Sequence, residues 1–142
     1  MNSVVFSQAG GNDEVSHPNE ALLRRVFDEF GDPTMIAEVF AEDAEWREPG
    51  SGPISGCYRG PQAISGLFAS VLSRSDETFD VLKIEDVLAD DNHGVAFVLV
   101  EGHRAGRHIR TTDAIVFDFR DGKIVLGRVL SEDQAEVDAF WD

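Results

Sequence analysis

Cysteine is almost absent from this chain. Cys57 is the only one, so no intrachain disulfide can staple the fold. It sits in a Gly/Pro-rich corner with no neighbour that would activate a thiolate, and it reads as inert. Basic residues are scarce as well: 12 Lys and Arg stand against 27 Asp and Glu, a net charge of −15. Nucleic acid and anionic membranes need a basic face, so neither is expected as a partner. A neutral or cationic ligand is tolerated more easily, and the simplest account of the charge is a solvated acidic surface. No apolar run approaches the ~20 residues of a membrane span. The N-terminus shows no basic segment leading into an apolar core, so no secretory signal is expected and the chain reads as cytoplasmic. There is no GxGxxG or GxxxxGKS/T loop to cradle phosphates and no GxSxG nucleophile elbow. The four histidines, His17, His93, His103 and His108, show no two-His helical spacing, so no metal centre is expected.

What is present suffices for one domain with its own core: 142 residues, 42% of them hydrophobic, with ten Phe and two Trp. Residues 1–16 are polar, contain Gly10-Gly11 and show no period. They read as a mobile leader, with a single domain over 17–142. Pro18 suits a first helical turn, and Leu22, Leu23, Val26, Phe27 and Phe30 then recur at spacings of three and four. Gly31 ends that helix. Asp32 caps a short second one, with Met35, Ile36, Val39 and Phe40 inward. A strand is expected at Ala44–Pro49, a very short one at Tyr58-Arg59, and a third helix from Pro61. Four strand signals follow, at Thr78–Ala89, Val95–His103, Ile109–Phe119 and Ile124–Leu130, punctuated by turn residues such as Asp121-Gly122. Residues 132–141 read as a short helical or irregular tail.

Helices before a run of strands mean an α+β fold, here a curved antiparallel sheet wrapped round a pocket. On Val95–His103 both alternating sets are apolar, whereas a one-sided sheet alternates apolar with polar. Both faces are therefore covered, one by the helices and one, most simply, by a second copy in a homodimer.

Asp113 is the first candidate for chemistry. It shares the more apolar face of its strand with Ile109, Ile115, Phe117 and Phe119. A carboxylate there is costly unless paired, hydrogen-bonded or protonated, and desolvation moves its pKa towards the range of general acid/base work. The alternative is a structural Asp bonded to a backbone amide or an Arg. His103 is the second candidate. A hairpin through Arg104–His108 would bring it across from the Asp113 strand, where an imidazole can shuttle a proton; alone, it reads as a surface residue at a strand end. Trp46, Glu48, Tyr58 and Phe117 are the expected substrate-contacting wall, with the Tyr58 hydroxyl as a donor to a developing oxyanion. Arg104, Arg107, Arg110 and Arg128 are available to balance buried acids.

The helix-rich first half, the Trp46-to-Gly60 corner, GHRAG at 102–106, DFRDGKI at 118–124 and Asp138-Ala139-Phe140-Trp141 together resemble the SnoaL-like polyketide cyclase family. The resemblance runs from Asn19 to Trp141. It implies the cone-shaped, cystatin-like α+β barrel shared by nuclear transport factor 2-like proteins, ketosteroid isomerase, scytalone dehydratase and limonene epoxide hydrolase. It further implies that His103 and Asp113 stand where the cyclases carry their acid/base pair, and that Asp113 is on the strand face that presents the oxyanion-hole acid of ketosteroid isomerase. The hairpin between them is shorter than in the cyclases. Val129 stands where the epoxide hydrolases use an Asp, which argues against epoxide opening. The implied function is cofactor-independent cyclisation, isomerisation or dehydration of a hydrophobic, carbonyl-bearing small molecule. The alternatives are a binding or sequestering protein without turnover, and a dimerisation module whose interior is filled by Phe and Trp.

Overall fold

The computed structural model describes residues 17–142; the expected leader at 1–16 lies outside the described residues. The chain forms α1 (Pro18–Asp28), α2 (Pro33–Val39), β1 (Phe40–Glu48), β2 (Gly56–Arg59), α3 (Pro61–Arg74), β3 (Asp80–Ala89), β4 (His93–Arg104), β5 (Arg107–Arg120), β6 (Lys123–Ser131) and α4 (Gln134–Trp141). The helix starts are chemically marked. Pro18 opens α1 while the His17 ring nitrogen accepts from the Asn19 amide. The Asp32 carboxylate caps α2 through the Thr34 amide at 2.9 Å. Leu23, Val26 and Phe27 of α1 are buried on the stripe that the spacing predicted, and Ile64, Leu67, Phe68 and Val71 are the buried face of α3.

The six strands form one curved sheet in the order β2-β1-β6-β5-β4-β3. The hairpins β4–β5 and β5–β6 turn on two residues each, Ala105-Gly106 and Asp121-Gly122. All four have positive φ, the signature of the turn whose twist matches a right-handed sheet. Four neighbouring pairs are antiparallel, but β1 and β6 run parallel, which departs from a wholly antiparallel sheet. The cause is connectivity. The chain leaves β1 through β2 and α3, enters the sheet again at its far edge, and meanders back until β6 lies beside β1. At the other end, the expected short helical or irregular tail is a helix over residues 134–141, capped by Asp133, with Phe140 and Trp141 buried.

Trp46 is the hub of the interior. Its indole meets Phe40, Phe68 and Phe117 edge-on, at centroid distances of 6.2, 5.0 and 6.1 Å. Gly127 makes this possible. It pairs with Trp46 on one side and Phe117 on the other, and a Cβ there would stand 2.7 Å from Trp46 Cε3. Gly127→Ala should therefore overpack the core and cost about 1–3 kcal/mol, read as a lower urea midpoint; wild-type stability would contradict this account of the hub.

Candidate active site

Strand pairing fixes which side chains face inward. Val98 opposes Asp113, Val100 opposes Thr111, and Ser131 opposes Asp113 from the other side. Direct partners point to the same face. Asp113 therefore emerges from the middle of the sheet into the space under α1 and α3. That space is a cavity of about 70 Å³. Its walls are aromatic and aliphatic, including Phe27, Phe30, Trp46, Phe68, Val98, Ile115 and Val129, and α4 closes one side with Val137 and Trp141. Among its lining residues the only ionisable groups are Glu48 and Asp113.

Glu48 is two residues beyond Trp46 on β1, so both face inward. The Trp46 indole N–H donates to Glu48 Oε1 at 3.0 Å. Ser131 Oγ donates to Asp113 Oδ1 at 3.3 Å. Among the described residues these are the only side-chain hydrogen bonds to either carboxyl. No arginine or lysine holds either acid down, so desolvation dominates. Burial pushes Asp113 up to about 6, against the pull of Ser131. Burial pushes Glu48 up to about 7; the indole hydrogen bond opposes this and the neighbouring Asp113 charge adds to it. Near neutrality the two acids thus hold about one proton between them, with Asp113 ionised first.

The other sequence-derived candidates are placed differently. His103 is exposed and opposes His108, whereas Asp113 opposes Val98. Imidazole and carboxylate are on opposite faces of the sheet and do not form a pair. Phe117 is fully buried but packs on Trp46 and Phe27 outside the cavity lining. Tyr58 also lies outside the lining, and its hydroxyl donates to the Ile54 carbonyl at 2.7 Å. Trp46, Glu48 and Asp113 do meet in one cavity. Of the arginines offered to buried acids, Arg107 instead donates to the Phe140 and Asp142 carbonyls at the end of α4. Ser131 was missed because β6 was expected to stop at Leu130, and Trp141 because its segment carried no clear period. Among the described residues that line it there is neither histidine nor cysteine, and the carboxylates there are Glu48 and Asp113.

Residues 21–127 match the SnoaL-like domain family, and the chain belongs to that family. The uncharacterised protein Rv0034 of Mycobacterium tuberculosis is 29% identical over 123 residues, spanning 84% of this chain and 93% of Rv0034. Bal32a, from a soil-derived mobile gene cassette, superposes with a TM-score of 0.82 at 29% identity, over 88% of this chain and 97% of its own. A protein of unknown function with a cystatin-like fold from Xanthomonas campestris gives 0.78 at 24% identity, over 85% and 95%.

Both acids have folded pKa values above their unfolded ones, so the fold binds more protons than the unfolded chain between about pH 4 and 7. Their contribution is fully present below the unfolded pKa and is lost as pH rises through about 6 and about 7. Each ionisation costs the fold roughly 3 kcal/mol at alkaline pH. Asp113→Asn, which mimics the neutral acid, should therefore raise the melting temperature by several degrees at pH 8 and leave it unchanged at pH 4. Equal effects at both pH values would contradict the burial account.

Proposed function

We propose that the protein is a cofactor-independent enzyme acting by acid/base chemistry on a small, hydrophobic, carbonyl-bearing molecule. The observation that carries this is the pair of uncompensated carboxyls, Asp113 and Glu48, in one apolar cavity with their pKa values pushed to either side of a working pH. Asp113, ionised first, is the base that removes a proton next to the substrate carbonyl. Glu48, still protonated, replaces His103 as the partner of Asp113 and takes the role first given to the Tyr58 hydroxyl, donating a hydrogen bond to the oxygen on which charge develops. Return of the proton to another carbon gives isomerisation. Attack by the enolate carbon on a second carbonyl gives cyclisation, and expulsion of a β-hydroxyl gives dehydration. The apolar walls exclude water and favour a neutral substrate, since an anion would meet Asp113. At about 70 Å³ the cavity holds only a few water-sized molecules, so a ligand-sized space requires movement of lining rings such as Phe30 and Phe79.

A panel of hydrophobic ketones in D2O tests the chemistry without knowledge of the natural substrate. Deuterium should enter the carbon next to the carbonyl in the presence of the wild-type protein. Asp113→Asn should lower that rate by ~10²–10⁴. The rate should rise through about pH 6 and fall above about 7, as first Asp113 and then Glu48 ionise. Wild-type exchange by Asp113→Asn would end the catalytic reading. The small volume of the cavity leaves a second reading, a protein that binds or sequesters such a molecule without turnover. In that case Asp113→Asn changes affinity alone and no exchange occurs.

We propose in addition that two copies pair through the outer face of the sheet. In support, Val95, Phe97, Leu99, Ala114 and Val116 are only partly buried there, and Leu88 and Leu130 are 55% and 56% exposed. A standard interface would remove about 1,600 Å² in total from water. Sedimentation at micromolar concentration should show about twice the 15.6 kDa chain mass; a lone monomer would sink the pairing.

A further inference from the structure

The end of the β4–β5 hairpin carries a side-chain cluster that the cavity chemistry does not use. Arg104 and Arg107 close the two-residue turn, and the next pair outward is His103 opposite His108. The His103 backbone bonds away from β5: its amide donates to Thr78 Oγ1 at 2.8 Å, and its carbonyl accepts from the same hydroxyl at 3.1 Å. His103 and His108 are therefore a non-hydrogen-bonded cross-strand pair, the kind in which facing side chains come closest. Their ring centroids are 4.6 Å apart. Glu101 is two residues back on the same face, and its Oε2 lies 2.7 Å from His108 Nε2. One ligand atom from each of the three lies within 4.8 Å of the others.

We propose that Glu101, His103 and His108 form a surface site for a divalent first-row transition ion, Zn²⁺ being the best fit. This departs from the expectation drawn from helical spacing, because the two imidazoles are brought together by strand register instead. Two borderline-soft nitrogens and one carboxylate oxygen suit Zn²⁺, Ni²⁺ or Cu²⁺ and disfavour Mg²⁺ or Ca²⁺, which prefer all-oxygen shells. With bonds of about 2.0–2.1 Å, tetrahedral ligands stand about 3.4 Å apart. The His108–Glu101 contact must therefore widen and His103 must swing inward. The exposure of both imidazoles leaves room for that, while the tight turn and Thr78 hold the backbone still. Binding at His108 Nε2 replaces its hydrogen bond to Glu101, and the ring proton moves to Nδ1 or, from a protonated ring, to solvent. Arg110 opposes Glu101 across the strands and competes for its carboxylate, which sets a limit on affinity. The fourth position stays open to water. All three ligands come from one chain, so no second copy is needed to complete the site, which sits at the hairpin end of the sheet face proposed for pairing. It lies on the opposite face of the sheet from the cavity.

Titration calorimetry of the full chain with ZnCl2 in a non-coordinating buffer should give one site per chain. Bound Co²⁺ should show the visible bands of a low-coordinate ion. His103→Ala and His108→Ala should each weaken Zn²⁺ by at least ~10-fold, and the shape-preserving Glu101→Gln should weaken it measurably. His93→Ala, at the other end of β4, should bind as wild type. Circular dichroism checks that each variant is folded. Absence of saturable binding, or binding that survives His103→Ala with His108→Ala together, overturns the proposal.

Discussion

The indole of Trp46 ties the core to the site. Its faces and edges are taken by three aromatic rings, each such contact contributing about 0.5–1.5 kcal/mol beyond area burial. Its one polar atom is spent on Glu48. A buried indole N–H needs an acceptor, and here the acceptor is a carboxyl that itself has no cation. The packing that locks the ring therefore also aims Glu48 into the cavity. Gly127 is part of the same arrangement, because only the absence of a Cβ lets Trp46 and Phe117 meet across β6.

The acids inside and outside the fold are treated in opposite ways. On the surface, Asp43 is held down by Arg120, and Glu45 by Arg47 and Arg59, in solvent-screened pairs of small individual worth. The chain has only 12 basic side chains for 27 acids, yet no arginine is directed at the two carboxyls in the cavity. A fold selected for stability alone would pair or replace them. Leaving them unpaired keeps their protons mobile near neutrality, which is the property acid/base chemistry requires.

Much of the fold was legible because it rests on local signals: Pro and Asp at helix starts, apolar stripes at helical spacing, and the Asp121-Gly122 turn. Asp113 was legible as an inward acid from the alternation on its own strand. His103 was misplaced because its face depends on where the turn sits. With the turn at Ala105-Gly106, partners across the strands always pair an odd residue with an even one, so odd-numbered His103 and odd-numbered Asp113 cannot share a face. The turn residues contained that answer, but a longer loop through Arg104–His108 concealed it. The parallel pairing of β1 with β6 was not readable at all, since neither strand's side-chain pattern records its neighbour's direction. Ser131 and Trp141 were obscured by element ends, where backbone pairing outlasts any apolar period.

That parallel pairing has a consequence for how the protein comes to exist. Of the described strands, β1 is the first to leave the ribosome and β6 the last. Until residues 123–131 have been made, β1 has only the four-residue β2 beside it, and its other edge is unpaired. The half-made chain thus carries Trp46 and Glu48 on a strand with no floor. Loop closure across most of the chain must precede the reward of packing, the circumstance in which assembly is slow and a bare edge is open to wrong partners. Cavity and sheet are completed together, once residues 123–141 have been made.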